Sequence, residues 1–185
     1  MTIQAVILAG QRSASAQTDS GPDSLSDSIL YQRILTPCVG VCSTGIGDSV
    51  CRGCKRFDFE VIRWNAYTES EKAAIDRRLA ELLGRVVKSR LAVVDVALLE
   101  RQLQGQQIRY AGYRNPYCWL YELLRAGARQ IESPAQYGFA VREAFGDFGL
   151  VAIRAAIDLE YYQLSVAHFE RYIVANQQRA HCVSP

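Results

Sequence analysis

The pattern C-x3-C-x8-C-x2-C, formed by Cys38, Cys42, Cys51 and Cys54, constrains this chain more than any other feature. The stretch around it, residues 36 to 56, also holds Gly40, Gly45, Gly47 and Gly53 and has few large apolar side chains. Such a segment has little apolar surface to bury, so its backbone entropy has to be offset by something other than a core. A metal held by four thiolates does that. A short turn can aim two sulfurs at one ion while neighbouring amides donate to them, and two such pairs make a tetrahedral cage. Because the pairs are close in sequence, closing the cage costs little loop entropy.

The spacing is strong for metal and weak for which metal. Zinc suits a closed tetrathiolate site and is the leading assignment for Cys38, Cys42, Cys51 and Cys54, in a structural role. An iron-sulfur cluster, which also takes four cysteines, is the alternative. Cys51-Arg52-Gly53-Cys54 is formally a redox C-x-x-C, but it lacks the βαβ surroundings of a thioredoxin-like motif.

Pro37-Cys38-Val39-Gly40-Val41-Cys42, Cys51-Arg52-Gly53-Cys54-Lys55-Arg56, Glu60-Val61 with Trp64, and Glu71-Lys72 together resemble the bacterial family catalogued as domain of unknown function 1289. That family is small, cysteine-rich and described as predicted iron-sulfur proteins. The resemblance covers about residues 36 to 75. It implies that all four cysteines are ligands, and it strengthens the iron-sulfur alternative without supplying a reaction. Lys55 departs from the family pattern, which often has a smaller residue there, and Val61 stands where isoleucine is usual.

The chain of 185 residues carries 21 Lys plus Arg against 19 Asp plus Glu, so no global charge draws it to nucleic acid or anionic membranes. Its basic excess falls in residues 52 to 90, with ten basic and six acidic side chains. Arg52, Lys55 and Arg56 are expected there to compensate a tetrathiolate cluster, whose net charge is negative. No stretch is long and apolar enough to span a bilayer, and the apolar run Ala5 to Ala9 has no preceding Lys or Arg and is too short for a signal peptide. The expectation is a cytoplasmic protein without membrane association, whose thiols stay reduced and available to metal.

The expected fold class is mostly α: a small loop-rich four-cysteine metal knob followed by an all-helical domain. Residues 1–33 are expected as a flexible tail, 34–67 as the metal module, 68–176 as the helical domain and 177–185 as a second tail. Phe57 to Trp64 is a short amphipathic segment. Thr68-Glu69-Ser70-Glu71 is a capping box that starts a helix running from Glu69 toward Arg90. Its buried stripe is Ile75, Leu79, Leu82, Leu83 and Val86. Leu91 to Leu103 is assigned to helix although its valines allow a strand, with Gly105 as the stop. Asn115-Pro116 and Ser133-Pro134 start helices over 116–127 and 134–145. Phe148 to Ala175 reads as one long helix. There is no internal repeat.

Other candidates are each weighed against a structural role. Trp64 is expected to pack the knob onto the helices, and Arg56 with Glu60 to make a modest surface contact. Residues 109 to 129 interleave arginines with Tyr110, Tyr113, Tyr117, Trp119 and Tyr121, a composition seen in stacking and phosphate-binding surfaces. Nucleic acid is therefore a partner to consider, although helix packing or a protein interface is favoured for these aromatics. His168 and Cys118 read as packed side chains. With no Cys/His or Ser/His/Asp spacing and no glycine-rich phosphate loop, the functional expectation is a non-enzymatic adaptor with a protein partner. The alternatives are an iron-sulfur electron carrier or oxidoreductase accessory protein, and a nucleic-acid-binding protein.

Overall fold

The computed structural model describes residues 34–175, all of which belong to one compact unit. Both expected tails, with His181 and Cys182, fall outside the described residues. The knob comes first in the chain. Its core is a hairpin in which Val50 bridges Phe57, Cys51 N–H donates to Arg56 O, and Asp58 N–H donates to Ser49 O. Helix α1, Asp58–Ile62, and a 3-10 turn, Trp64–Ala66, follow.

The long helix α2, Glu69–Arg90, begins where its capping box requires. Thr68 Oγ1 accepts from Glu71 N–H, and Glu71 Oε2 accepts from Thr68 N–H, so two otherwise orphaned amides are satisfied reciprocally. Leu79, Leu83 and Val86 are buried, with Ile75 and Leu82 partly so. The chain then departs from the helix expected over Leu91 to Leu103. Leu91–Val93 is a strand, β1, paired antiparallel with β2, Phe139–Val141. The helix starts only afterward, as α3, Val96–Gly105, capped by Asp95 Oδ1 on Leu98 N–H.

Helix α4, Pro116–Gly127, has the expected cap, Asn115, with Pro116 at its first turn. The helix expected over 134–145 is absent. In its place a 3-10 turn Pro134–Tyr137, strand β2 and a second 3-10 turn Glu143–Phe145 succeed one another. The break is Gly138, at φ +76°, where a Cβ would stand 2.3 Å from Asp95 O. The Ser133-Pro134 signal holds for one turn, but a left-handed glycine cannot continue a helix. The last helix, α5, Leu150–Phe169, passes into a π-helical turn, Glu170–Val174.

The protein is thus mostly helical, with a cysteine-rich segment ahead of the helices and a two-stranded sheet that the all-helical expectation omitted. Helix α2 packs against α4 and α5. The apolar core between them includes Leu83, Val87, Leu120, Leu124, Ile153 and Ile157.

Candidate metal centre

The backbone of the hairpin turn determines what its sulfurs can do. Lys55 N–H donates to Cys51 O, and Lys55 itself sits at φ +61°, in the left-handed region that favours glycine. This folds residues 51–54 back on themselves. The Cys51 sulfur then receives hydrogen bonds from the backbone amides of Cys54, Ser43 and Gly53. Val41 O lies 3.7 Å from the same sulfur. Gly53 is required by the close approach of the first cysteine segment, because a Cβ there would lie 2.3 Å from Val41 O and 2.8 Å from Val39 Cγ2.

Burial alone would push the Cys51 thiol up. The amides of Cys54, Ser43 and Gly53, together with the Cys54 side chain, outweigh it and bring Cys51 from 9.0 down to about 7. Its neighbour moves the other way: burial holds the Cys54 thiol up, against the hydrogen bond from Arg56. Of the two, Cys51 is therefore the more readily ionised, and the Cys54 thiol donates a hydrogen bond to it. Cys51 is only 1 % exposed, so this thiolate has no open approach for an external disulfide or electrophile. Reactive cysteines need that access, and the formal C-x-x-C is better suited to hold an ion than to exchange thiols.

The four predicted ligands are not equally assembled. Cys51 and Cys54 are buried and in contact. Cys38 and Cys42 are exposed. Cys42 Sγ lies 3.1 Å from Thr44 Oγ1, and the Cys38 amide donates to Thr36 Oγ1. Among the described residues no three His, Cys, Asp or Glu side chains are gathered closely enough to hold a metal ion. The backbone nevertheless keeps the two segments together: Val41 and Ser43, on either side of Cys42, both touch the Cys51 sulfur.

The donor chemistry fits a soft metal. The four sulfurs are the ligands such an ion prefers, and amide donors already surround the innermost of them, as they do around bound thiolates. Arg56 lies against the buried cysteine pair. Its side chain is buried, its Nε donates to Cys54 Sγ at 3.3 Å, and its Nη1 has no hydrogen-bond partner among the described residues. A buried guanidinium with an unused donor is costly unless negative charge is near. Glu60 lies near enough to attract it, and a tetrathiolate centre would add further negative charge. The three cations expected to compensate it separate in the structure. Only Arg56 reaches a sulfur, whereas Arg52 pairs with Asp48 at 2.8 Å and Lys55 pairs with Asp158.

The surface contact expected between Arg56 and Glu60 is not what forms, because both side chains are buried. Arg56 lies over the Trp64 ring, and Glu60 Oε2 accepts from Phe57 N–H and from Arg78 Nη2. Burial raises the Glu60 carboxyl and, in agreement, lowers Arg78, so desolvation outweighs their mutual attraction. Trp64 is buried, as expected of a packing residue. Sequence reasoning missed Ser43, whose Oγ also accepts from Arg52 N–H at 2.9 Å, and Asp158, which lies 103 residues from Lys55. No local signal marks either one.

Residues 36–83 match the family model described as "Protein of unknown function (DUF1289)". The chain is similar to that family over this segment, which is well under half of its length. The matched region takes in all four cysteines, Arg56, Glu60 and Trp64 and reaches Leu83, about two thirds of the way along α2. No curated protein and no solved structure matches the chain. The 109–129 aromatics turn mostly inward. Trp119 and Tyr121 are buried, Trp119 Nε1 donates to Ala111 O, and Tyr110 packs on Trp119 with ring centroids 5.2 Å apart.

Proposed function

We propose that this is a cytoplasmic metal-binding protein in which Cys38, Cys42, Cys51 and Cys54 hold one structural zinc, and that it acts as a non-enzymatic adaptor for a protein partner. The supporting observation is the buried Cys51 sulfur ringed by the amides of Ser43, Gly53 and Cys54. It is an environment that stabilises a thiolate while denying access to a substrate. The knob also presents apolar side chains outward, with Val41 70 %, Ile46 85 % and Ile62 80 % exposed. An adaptor can use such exposed apolar side chains, because apolar surface left in water favours protein association.

The test is metal analysis with a visible absorption spectrum on protein purified without oxygen. Colourless protein with one zinc per chain is expected. Brown protein with iron and labile sulfide would replace zinc by a cluster and make electron transfer the leading function, since four cysteines serve that chemistry equally. Protein that takes up neither metal would overturn the assignment.

A further inference from the structure

Beside the knob, between the C-x-x-C turn and helices α2, α4 and α5, lies a cavity of about 250 Å³. Five cationic side chains line it against two carboxylates, Glu122 and Asp158. Four of the cations have partners of their own: Lys55 with Asp158, Arg114 with Asp76, Arg52 with Asp48 and Arg125 with Glu122. The fifth, Arg154, makes no ion pair with a described carboxylate, although it is partly buried.

Arg154 and Arg125 also form the wall of a second cavity, of about 310 Å³. That cavity is lined by one further arginine, Arg129, and by no acidic residue. Helices α4 and α5 therefore bring two guanidinium groups to one partition, and the single carboxylate paired there, Glu122 on Arg125, leaves the Arg154 charge for a further anion to offset. The rest of the first cavity is of a different character, with Val39, Val41, Leu79, Leu83 and the rings of Tyr121 and Tyr161 on its surface. A ligand that suits it has a charged end and an apolar body.

We infer that the first cavity binds a small phosphorylated molecule with an apolar body, its phosphate held between Arg125 and Arg154 and its body against Leu83 and Tyr121. Two guanidinium groups from separate helices match a dianion with three oxygens better than a single carboxylate, which one arginine satisfies alone. The site lies next to Cys54 and Lys55, so a bound molecule would report to the metal centre's own surroundings. It does not depend on which metal the cysteines take.

Phenyl phosphate is a suitable probe, titrated by calorimetry into the full-length protein at constant ionic strength, with inorganic phosphate and benzoate as comparison arms. Saturable binding of phenyl phosphate, tighter than either comparison, is expected. Arg154→Gln should weaken it by about tenfold or more, as should Arg125→Gln, which guards against a folding defect in one variant. Arg101→Gln, which changes an arginine of α3 lining neither cavity, should leave it within about twofold. Metal content should be the same in all three variants, which separates this result from the fate of the zinc assignment. The inference is overturned by unsaturable binding, by equal losses in Arg101→Gln, or by no loss in Arg154→Gln. Tighter binding of benzoate, or Arg154-dependent binding of oligothymidylate without any response to phenyl phosphate, would also overturn it.

Discussion

Lys55 stands in a backbone conformation that glycine adopts freely, and what its ammonium reaches explains how a lysine can be there. Its side chain is only 2 % exposed, and Nζ donates to Arg52 O, Gly53 O and Asp158 Oδ1. These bonds close the C-x-x-C turn and join it to α5 at once. Lys55→Met keeps the stem's volume but strands two carbonyls and removes the charged partner of Asp158, whose Oδ1 keeps the Tyr121 hydroxyl. It is expected to cost about 2 kcal/mol, read from urea unfolding, and the value is held down because Asp158 remains nearly half exposed. Cys51→Ser removes one of four proposed ligands and the thiolate that three amides serve. Metal content should fall well below one per chain and the melting temperature should drop with it; full retention of both would exclude Cys51 as a ligand. His168 sets a pH dependence. Burial first, and the Arg78 charge second, lower its pKa from 6.5, so the fold prefers neutral imidazole. Stability from this group is complete above about pH 6.5 and is lost as the pH falls through the lowered folded value. The rings of Phe57 and Tyr172 pack on it and take it partly out of water, and the Arg78 charge opposes a second positive charge there. The melting temperature should therefore decline from pH 7 to pH 5 more steeply in the native chain than in His168→Gln.

At the scale of elements, the legible parts are those whose signals are local. The Thr68 capping box and the Asn115-Pro116 start each carry their own hydrogen-bond partners within three residues, so sequence alone places α2 and α4. Residues 91–103 and 134–145 mislead for one shared reason. Leu91–Val93 and Phe139–Val141 become strands only by pairing with each other across almost fifty residues, and neither has a strand's backbone partner nearby. The Val-rich run at 91–96 hints at this, but its apolar density reads equally as helix. Gly138 is the hinge of the arrangement: its carbonyl accepts from both Val94 N–H and Asp95 N–H, and its Cα faces Asp95 O too closely for a side chain. Gly138→Ala should cost about 2 to 4 kcal/mol, combining the left-handed penalty with a backbone clash that no rotamer relieves. Hydrogen exchange should then quicken at the amides of β1 and β2 before those of α2. A thermal midpoint unchanged by the substitution would mean that the turn is not fixed as described. The candidate site is legible in the same partial way. The cysteines announce themselves, whereas Arg56 reads as a surface charge, because nothing in its neighbours tells that Trp64 and Cys54 will enclose it.

Across the whole molecule, two kinds of stabilisation meet at one seam. The principal apolar cluster draws all its fully buried members from Leu79 onward and none from the cysteine segment. The knob is attached to it by polar and aromatic contacts: Lys55 to Asp158, Glu60 to Arg78, and the ring of Phe57 against Phe169 at 5.1 Å. A helical body that buries its own core would not need the proposed metal in order to fold, whereas the loop-rich knob has few buried apolar side chains to fall back on. Removing the proposed metal with a chelator should accordingly produce local loss. Far-ultraviolet circular dichroism should keep most of its helical signal, while hydrogen exchange accelerates through residues 34–67 and leaves α4 and α5 protected. The seam itself sets how far the change spreads, because Arg78 and Asp158 belong to α2 and α5 and would lose their knob partners. Modest deprotection centred on those two positions is expected, fading toward Leu120 and Ile157 in the core. A single cooperative collapse of all helices on chelation would show instead that the cysteine centre and the helical core are one thermodynamic unit, with the polar seam carrying more stability than its exposed carboxylate implies.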